Sequence, residues 1–293
     1  MSHQEVQSNV HDPRFREAKQ PQGGASVAVA DLFRLDGRTI IVTGAAGFMG
    51  TTLTEAMLES GADVVCLDVM SSPKQEEWAT LEAAAKKYSR HVSYIQCDQR
   101  SDDSVNAAFD EIVPGLTYPI RGLAACAGVS DNGPATEFPS ESFTRLLDIN
   151  VTGTFRVAQR VAKETIKANV TASMVLVASM SGYVSNKGVD TAGYNSSKAA
   201  VHQLARSLAA EWGSRVGIPL IRVNSLSPGY IRTAATAEAL QKPGMETQWA
   251  GDNMLYRLST VDEFRAPVLF LLGDGSSFMT GSDLRVDGGH CSW

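Results

Sequence analysis

The chain has 293 residues, 43% of them hydrophobic, and a formal net charge of -6. Such a length and composition suit one globular domain with a substantial core. A mildly acidic chain without basic clusters is poorly matched to nucleic acid or to an anionic membrane surface, and no apolar run approaches the ~20 residues of a membrane helix.

In chain order, residues 1–30 are polar, without hydrophobic periodicity, and read as a flexible arm. Its acids Glu5, Asp12 and Glu17 argue against a mitochondrial presequence. From residue 35 strand and helix signals alternate. Thr39-Ile40-Ile41-Val42 is a short β-branched run, followed by a glycine-rich turn at 44–50 and a helix over 51–60. Strands are predicted at 62–67, 92–95, 122–126, 173–178, 221–226 and 284–286. Helices are predicted at 74–88, 103–112, 141–169, 192–213 and 262–273. Apolar strands with little period-2 alternation, separated by helices, indicate parallel strands covered on both faces. The expected fold is therefore α/β: a single-domain, doubly wound (Rossmann-type) parallel sheet over 31–293, with helices on both faces. Residues 233–256 are expected to form a substrate lid.

The turn Thr43-Gly44-Ala45-Ala46-Gly47-Phe48-Met49-Gly50 joins the first strand to the first helix. Gly44 permits the tight turn, a middle glycine lets backbone approach a pyrophosphate, and Gly50 allows close helix–sheet packing. Ala46, Phe48 and Met49 complete this candidate phosphate loop. Asp68 ends the second strand, where a carboxylate accepts ribose hydroxyls and repels a 2′-phosphate. No Lys or Arg occurs at 44–50 or 69–72, so NAD is the expected cofactor. The four cysteines (Cys66, Cys97, Cys126, Cys291) form no CxxC pair and the histidines show no zinc spacing. Reduced thiols, no bound metal and a cytoplasmic location are expected.

Tyr194 and Lys198 share a helix face at i,i+4. An ordinary tyrosine, with a pKa of about 10, is a poor base at neutral pH, and a neighbouring ammonium is expected to lower that value. Tyr194 then serves as general acid–base. Ser181, past a strand end, is expected to donate to the substrate oxygen, with Ser179 as the alternative hydroxyl. Asn150 lies in an otherwise apolar helical run, either as a structural cap or beside a water near Lys198.

Together these residues resemble the short-chain dehydrogenase/reductase superfamily over roughly residues 33–290. The resemblance rests on the Gly44–Gly50 turn, Asp68, Asp98, Cys126-Ala127-Gly128, Asn150, Ser181, Tyr194, Lys198 and Pro228-Gly229-Tyr230-Ile231-Arg232-Thr233. It implies that Asn150, Ser181, Tyr194 and Lys198 are catalytic, with Asn150 holding a water against Lys198. It implies adenine contact by Asp98, with Gln99 beside it. Cys126, Ala127, Gly128, Pro228 and Gly229 would line the cofactor, and Ile231 and Thr233 would hold the carboxamide.

The segments Ala178-Ser179-Met180-Ser181-Gly182, Tyr194-Asn195-Ser196-Ser197-Lys198 and Val286-Asp287-Gly288-Gly289 are similar to the fungal polyol dehydrogenase/ketose reductase group. The implied function is hydride transfer between NAD(H) and a secondary alcohol or ketone, a polyol/ketose pair. A biosynthetic ketoreductase for a bulkier carbonyl is the alternative, and a non-catalytic dinucleotide sensor the remote one. Asp131, Asn132, Asn186, Lys187 and Asp190 are expected to border the substrate, with Trp249 and Tyr256 as walls. A homotetramer, or a homodimer, is implied through the helices near 141–169 and 192–213, with residues 290–293 packing at such an interface. Two departures stand out: the middle glycine falls at Gly47, where the short-chain pattern has it at Phe48, and Cys126 replaces the usual asparagine.

Overall fold

A computed structural model describes residues 26–293. The arm expected over 1–30 falls mostly outside this range, and its last two residues enter a 3-10 turn at Val29–Phe33. Seven strands follow: β1 (Thr39–Thr43), β2 (Asp63–Asp68), β3 (Val92–Gln96), β4 (Ile120–Ala125), β5 (Ala172–Val177), β6 (Ile221–Pro228) and β7 (Asp283–Val286). They pair in parallel in the order β3-β2-β1-β4-β5-β6-β7. The expected doubly wound sheet is present. Its order reverses between β1 and β4, so a crevice opens beyond their carboxyl ends.

Alternate strand residues feed two cores. Ile41, Val65, Leu67, Met174 and Leu176 face one side, with α3 (Asp102–Ile112), α5 (Thr154–Lys167) and α6 (Ala192–Ser214). Ile40, Val42, Val64, Cys66 and Val175 face the other, with α1 (Phe48–Glu59), α2 (Gln75–Tyr88) and α9 (Arg265–Leu272). Burial on both faces explains why the strands lack polar alternation.

Two predicted helices differ from the sequence-based expectation, and the 233–256 segment gains its own structure. The helix predicted over 141–169 is α4 (Ser140–Leu147) and α5 joined by a π turn at Asp148–Gly153. The helix predicted over 262–273 starts as a 3-10 turn at Val261–Phe264. Segment 233–256 carries two short helices, α7 (Ala234–Leu240) and α8 (Met245–Gly251). Met245 and Trp249 of α8 bury a small separate core with Met180 and Tyr230. The α8 helix is also tied across to the 183–190 loop, where Gln248 Nε2 donates to the Lys187 carbonyl at 2.8 Å. Among the described residues no helix is long and apolar enough to cross a membrane.

Candidate active site

The crevice is built first by glycines. Gly44 has φ +64°, and a Cβ there would lie 2.7 Å from both Cα and N of Ala127. The β1 turn therefore closes directly onto the chain leaving β4. A Cβ on Gly50 would meet the Gly44 carbonyl oxygen at 2.3 Å. Gly47 is the residue before α1, with an ordinary φ of -88°. The shifted middle glycine thus becomes the helix N-cap and leaves the first-turn amides free for an anion.

Around this turn lies a groove of about 610 Å³, lined by the expected turn residues and by Asp68, Asp98, Gln99, Cys126, Ala127, Gly128 and Thr233. Asp68 Oδ2 accepts from the Ala46 amide at 3.0 Å and Oδ1 from the Met70 amide at 3.1 Å. The carboxylate thereby couples the glycine turn to the end of β2. Gln99 is buried and its Oε1 has no partner, while its Nε2 donates to the Ile149 carbonyl at 2.8 Å. Asp98 is clamped by Arg100, at 2.7 Å, and the guanidinium holds its carboxyl below the usual range. Arg100 and Arg145 also line the groove, and Lys74 Nζ lies 5.2 Å from the Phe48 ring centroid. The sequence windows at 44–50 and 69–72 missed these cations, because the fold delivers them from the turn after β3, from α4 and from the 69–74 loop. A glycine cradle, an unpartnered buried amide oxygen and a strand-end carboxylate together fit a dinucleotide.

The groove runs into a second cavity of about 380 Å³, the two sharing Met49, Cys126, Gly128, Val129 and Thr233. Ser179, Ser181, Tyr194, Lys198, Pro228, Gly229 and Ile231 line it. Lys198 Nζ sits 5.7 Å from the Tyr194 ring centroid and donates to the Val177 carbonyl at 2.9 Å. Burial lowers Lys198 to about 8. The expectation for the phenol is reversed here. Burial raises Tyr194 above its ordinary value, and a hydrogen bond with Ser179 opposes the shift. Desolvation of the phenolate outweighs that hydrogen bond, and the ammonium turns to a backbone carbonyl. Burial likewise pushes the Cys126 thiol up to about 12, so it is an inert small residue rather than a reactive thiolate.

Ser181 and Asn150 have partners that the sequence did not reveal. The Ser181 hydroxyl donates to Asn186 Oδ1 at 3.0 Å, and Asn186 Nδ2 to Thr191 Oγ1 at 3.3 Å. Asn186 thus orients the Ser181 hydroxyl at the cavity wall, where rotation about Cβ–Oγ can turn its proton to a substrate oxygen. Asn150 lies buried on the π turn behind the cavity. Its Oδ1 accepts from the Val129 amide at 2.8 Å, and its Nδ2 donates to the Val129 carbonyl and to Ser197 Oγ, both at 2.9 Å. The side chain thus ties the Val129 backbone to α6. Its link to the lysine is through Gly128, where a Cβ would lie 3.3 Å from both Asn150 Oδ1 and Lys198 Nζ.

Of the polar residues expected around the substrate, Asn132 and Asn186 line the cavity. Asp131 and Asp190 line a separate hollow of about 210 Å³. Trp249 is a wall as expected, stacked on Tyr230 at 4.2 Å and 4°. Tyr256 is not: it is 69% exposed and outside the cavity. Tyr230, Met180 and Val189 are walls that the sequence reading gave no role. Among the described residues no group of three or more His, Cys, Asp or Glu could hold a metal ion.

The chain matches a family profile described as enoyl-(acyl carrier protein) reductase over residues 44–290. It is 69% identical over 285 residues to short chain dehydrogenases/reductase notP' of Aspergillus versicolor, covering 97% of this chain and 98% of that one. It is 35% identical to a D-arabinitol 2-dehydrogenase (ribulose-forming) of Candida tropicalis, covering 89% and 95%. An NADH-dependent L-xylulose reductase of Ambrosiozyma monospora is also 35% identical, covering 89% and 97%. Among solved structures, an NAD+-bound xylitol dehydrogenase superposes with TM-score 0.76 at 30% identity, covering 87% and 99%. A gluconate 5-dehydrogenase from Burkholderia cenocepacia J2315, in complex with NADP and tartrate, superposes with TM-score 0.81 at 28% identity, covering 91% and 100%.

Proposed function

Because the chain belongs to the short-chain dehydrogenase/reductase family, we propose that it is an NAD(H)-dependent oxidoreductase interconverting a polyol and its ketose. The observation that carries this reading is one cavity holding Tyr194, Ser181 and Lys198 and opening into the glycine-cradled groove. Bound in that groove, the nicotinamide cofactor accepts or supplies the hydride. Asp68 holds the adenosine ribose hydroxyls, Asp98 and Gln99 border the adenine, and Ile231 and Thr233 border the carboxamide. Tyr194 exchanges a proton with the substrate oxygen, and Ser181, fixed by Asn186, holds that oxygen in place. Lys198 supplies positive charge beside the phenol. Asn150 fixes the 128–129 backbone that separates groove from α6. Segment 233–256 acts as the lid, held over the cavity by Gln248.

Polyol relatives and the hydroxyl- and amide-bearing lining (Ser130, Asn132, Ser181, Asn186) support the substrate class. The apolar part of the lining, Met180, Val189 and Ala239, favours a second reading, reduction of a bulkier carbonyl. A panel of D-arabinitol, xylitol and galactitol with NAD+, against apolar ketones with NADH, separates the two. Polyol turnover with the higher kcat/KM is expected, and activity confined to apolar ketones contradicts it. Four free cysteines, with Cys66 and Cys97 buried, support a cytoplasmic site, and exposed Phe143, Phe155 and Ile166 on α4 and α5 support a homotetramer.

NAD preference rests on Asp68. Replacing it by serine removes the repulsion toward a 2′-phosphate while Arg100 and Arg145 remain in the groove wall. The kcat/KM ratio of NAD+ to NADP+ is expected to fall by about tenfold or more. An unchanged ratio in Asp68→Ser contradicts the assignment.

The raised phenol also sets a pH dependence. At neutral pH Tyr194 rests protonated, ready to donate in reduction, while oxidation needs the phenolate. Oxidation kcat/KM is expected to climb close to tenfold per pH unit between about pH 6 and 8. It flattens above about 8, where Lys198 loses its charge. Reduction stays level over the lower window. An oxidation profile flat from pH 6 to 8 contradicts this role for Tyr194.

A further inference from the structure

The groove wall that carries Asp68 is held from behind by an edge strand. β3 pairs with β2 in a register that sets Gln96 opposite Asp68 and Tyr94 opposite Cys66. Alternate residues of a strand share a face, so Tyr94 and Gln96 act on the same side. The Tyr94 hydroxyl donates to the Met70 carbonyl at 2.7 Å, and Gln96 Nε2 donates to the Val69 carbonyl at 3.0 Å. Val69 and Met70 themselves line the groove. They are 56% and 58% exposed, so these bonds, rather than packing of their own side chains, fix their place. The Met70 amide in turn donates to Asp68 Oδ1, and the Ala46 amide to Asp68 Oδ2. One chain of bonds therefore runs from β3 through Met70 and Asp68 to the glycine turn. Its far end is anchored: Trp78 of α2 packs edge-on against the Tyr94 ring, with centroids 5.8 Å apart at 76°. Burial, reinforced by the Asp68 charge, pushes the Tyr94 phenol to about 12, so it remains a donor at any working pH.

We propose that Tyr94 and Gln96 are positioning residues for cofactor choice: they brace the Val69–Met70 segment and so fix Asp68 for the ribose hydroxyls of NAD and against a 2′-phosphate. Neither residue lines the groove, so both act through Met70, Val69 and Asp68. A carboxylate accepts about four hydrogen bonds, so the two amides orient Asp68 and leave lone pairs for a ribose diol. A segment already in place spares NAD the cost of ordering it on binding. An unbraced segment frees the carboxylate to turn away from a 2′-phosphate, which weakens the repulsion. The inference rests on the NAD reading above and names the residues outside the groove that enforce it.

The test titrates NADH and NADPH against wild type and the double variant Tyr94→Phe, Gln96→Met, read by nicotinamide fluorescence. Each substitution deletes a donor and keeps most of the side chain's bulk, and the phenyl ring keeps its contact with Trp78. Wild type is expected to bind NADH about tenfold or more tightly than NADPH. In the double variant the NADH Kd rises about fivefold while the NADPH Kd changes by less than about twofold, so the preference shrinks to about twofold. An unchanged ratio overturns the proposal, as does an equal loss for both dinucleotides, which a general loosening of the fold would give. In the Asp68→Ser background the same two substitutions are expected to move the ratio by less than about twofold, because the carboxylate they position is gone. A shift as large as in the wild-type background also overturns the proposal. If wild type binds NADPH as tightly as NADH or more tightly, the NAD reading fails instead. The brace is then judged on the NADH Kd alone: a rise of about fivefold in the double variant that is absent in the Asp68→Ser background supports it, and any other result overturns it.

Discussion

Tyr194→Phe is expected to lower turnover by about 10³-fold while NADH still binds with near wild-type affinity. The substitution deletes one oxygen and keeps the ring. Tyr194 lines the cavity and not the groove, so the phosphate turn, Asp68 and Gln99 are untouched. What is lost is the proton carrier. The neighbouring hydroxyls are poor replacements: Ser181 is bonded to Asn186, and an unassisted serine is a far weaker acid than a phenol. Lys198, at about 8, is a competent acid, but its Nζ is bonded to the Val177 carbonyl on the strand side. Stopped-flow NADH fluorescence and steady-state rates on the same preparation separate binding from chemistry. Wild-type activity in the variant removes the phenol from the mechanism.

Gly44→Ala is expected to abolish most cofactor affinity, by about tenfold or more, and to lower thermal stability at the same time. Two effects add. An L-residue at φ +64° costs about 1–2 kcal/mol relative to glycine. The new methyl would also stand 2.7 Å from backbone atoms of Ala127, which is no flexible side-chain end that could swing away. Relief requires β1 and the β4 exit to separate, which widens the switch point where the groove begins. Gly47→Ala is the matched control: its φ is ordinary and its methyl would lie 3.2 Å from a single carbonyl oxygen, so a smaller loss is expected. Equal NADH affinity in Gly44→Ala and wild type contradicts the cradle.

The sheet was legible because its signals are local. Thr39-Ile40-Ile41-Val42 and Met174-Val175-Leu176-Val177 are apolar on both sides of the strand, and the strand–glycine–helix order around Gly44 carries its own geometry. The Tyr194–Lys198 pair was legible for the same reason, since i,i+4 spacing on a helix is a short-range fact. Properties created by distant packing were not. The π turn at Asp148–Gly153 breaks a helical pattern without proline or glycine at its start. The short helices of the lid, split by Lys242-Pro243-Gly244, have too few turns for a clear period. Arg100 and Arg145 reach the groove only through the fold, which no window along the chain reveals. The direction of the Tyr194 shift depends on how deeply the ring is buried, and the orientation of Ser181 depends on Asn186 folding back across five residues.

The account stands or falls on a hydride leaving a carbinol carbon while Tyr194 takes the hydroxyl proton. The most direct measurement supplies NAD+ and the best alcohol of the panel, deuterated at the carbon to be oxidised, and examines the reduced cofactor by mass spectrometry. Deuterium retained in the cofactor by wild type, and none transferred by Tyr194→Phe, is the predicted result. Reduced cofactor without deuterium, or equal transfer in the variant, contradicts it.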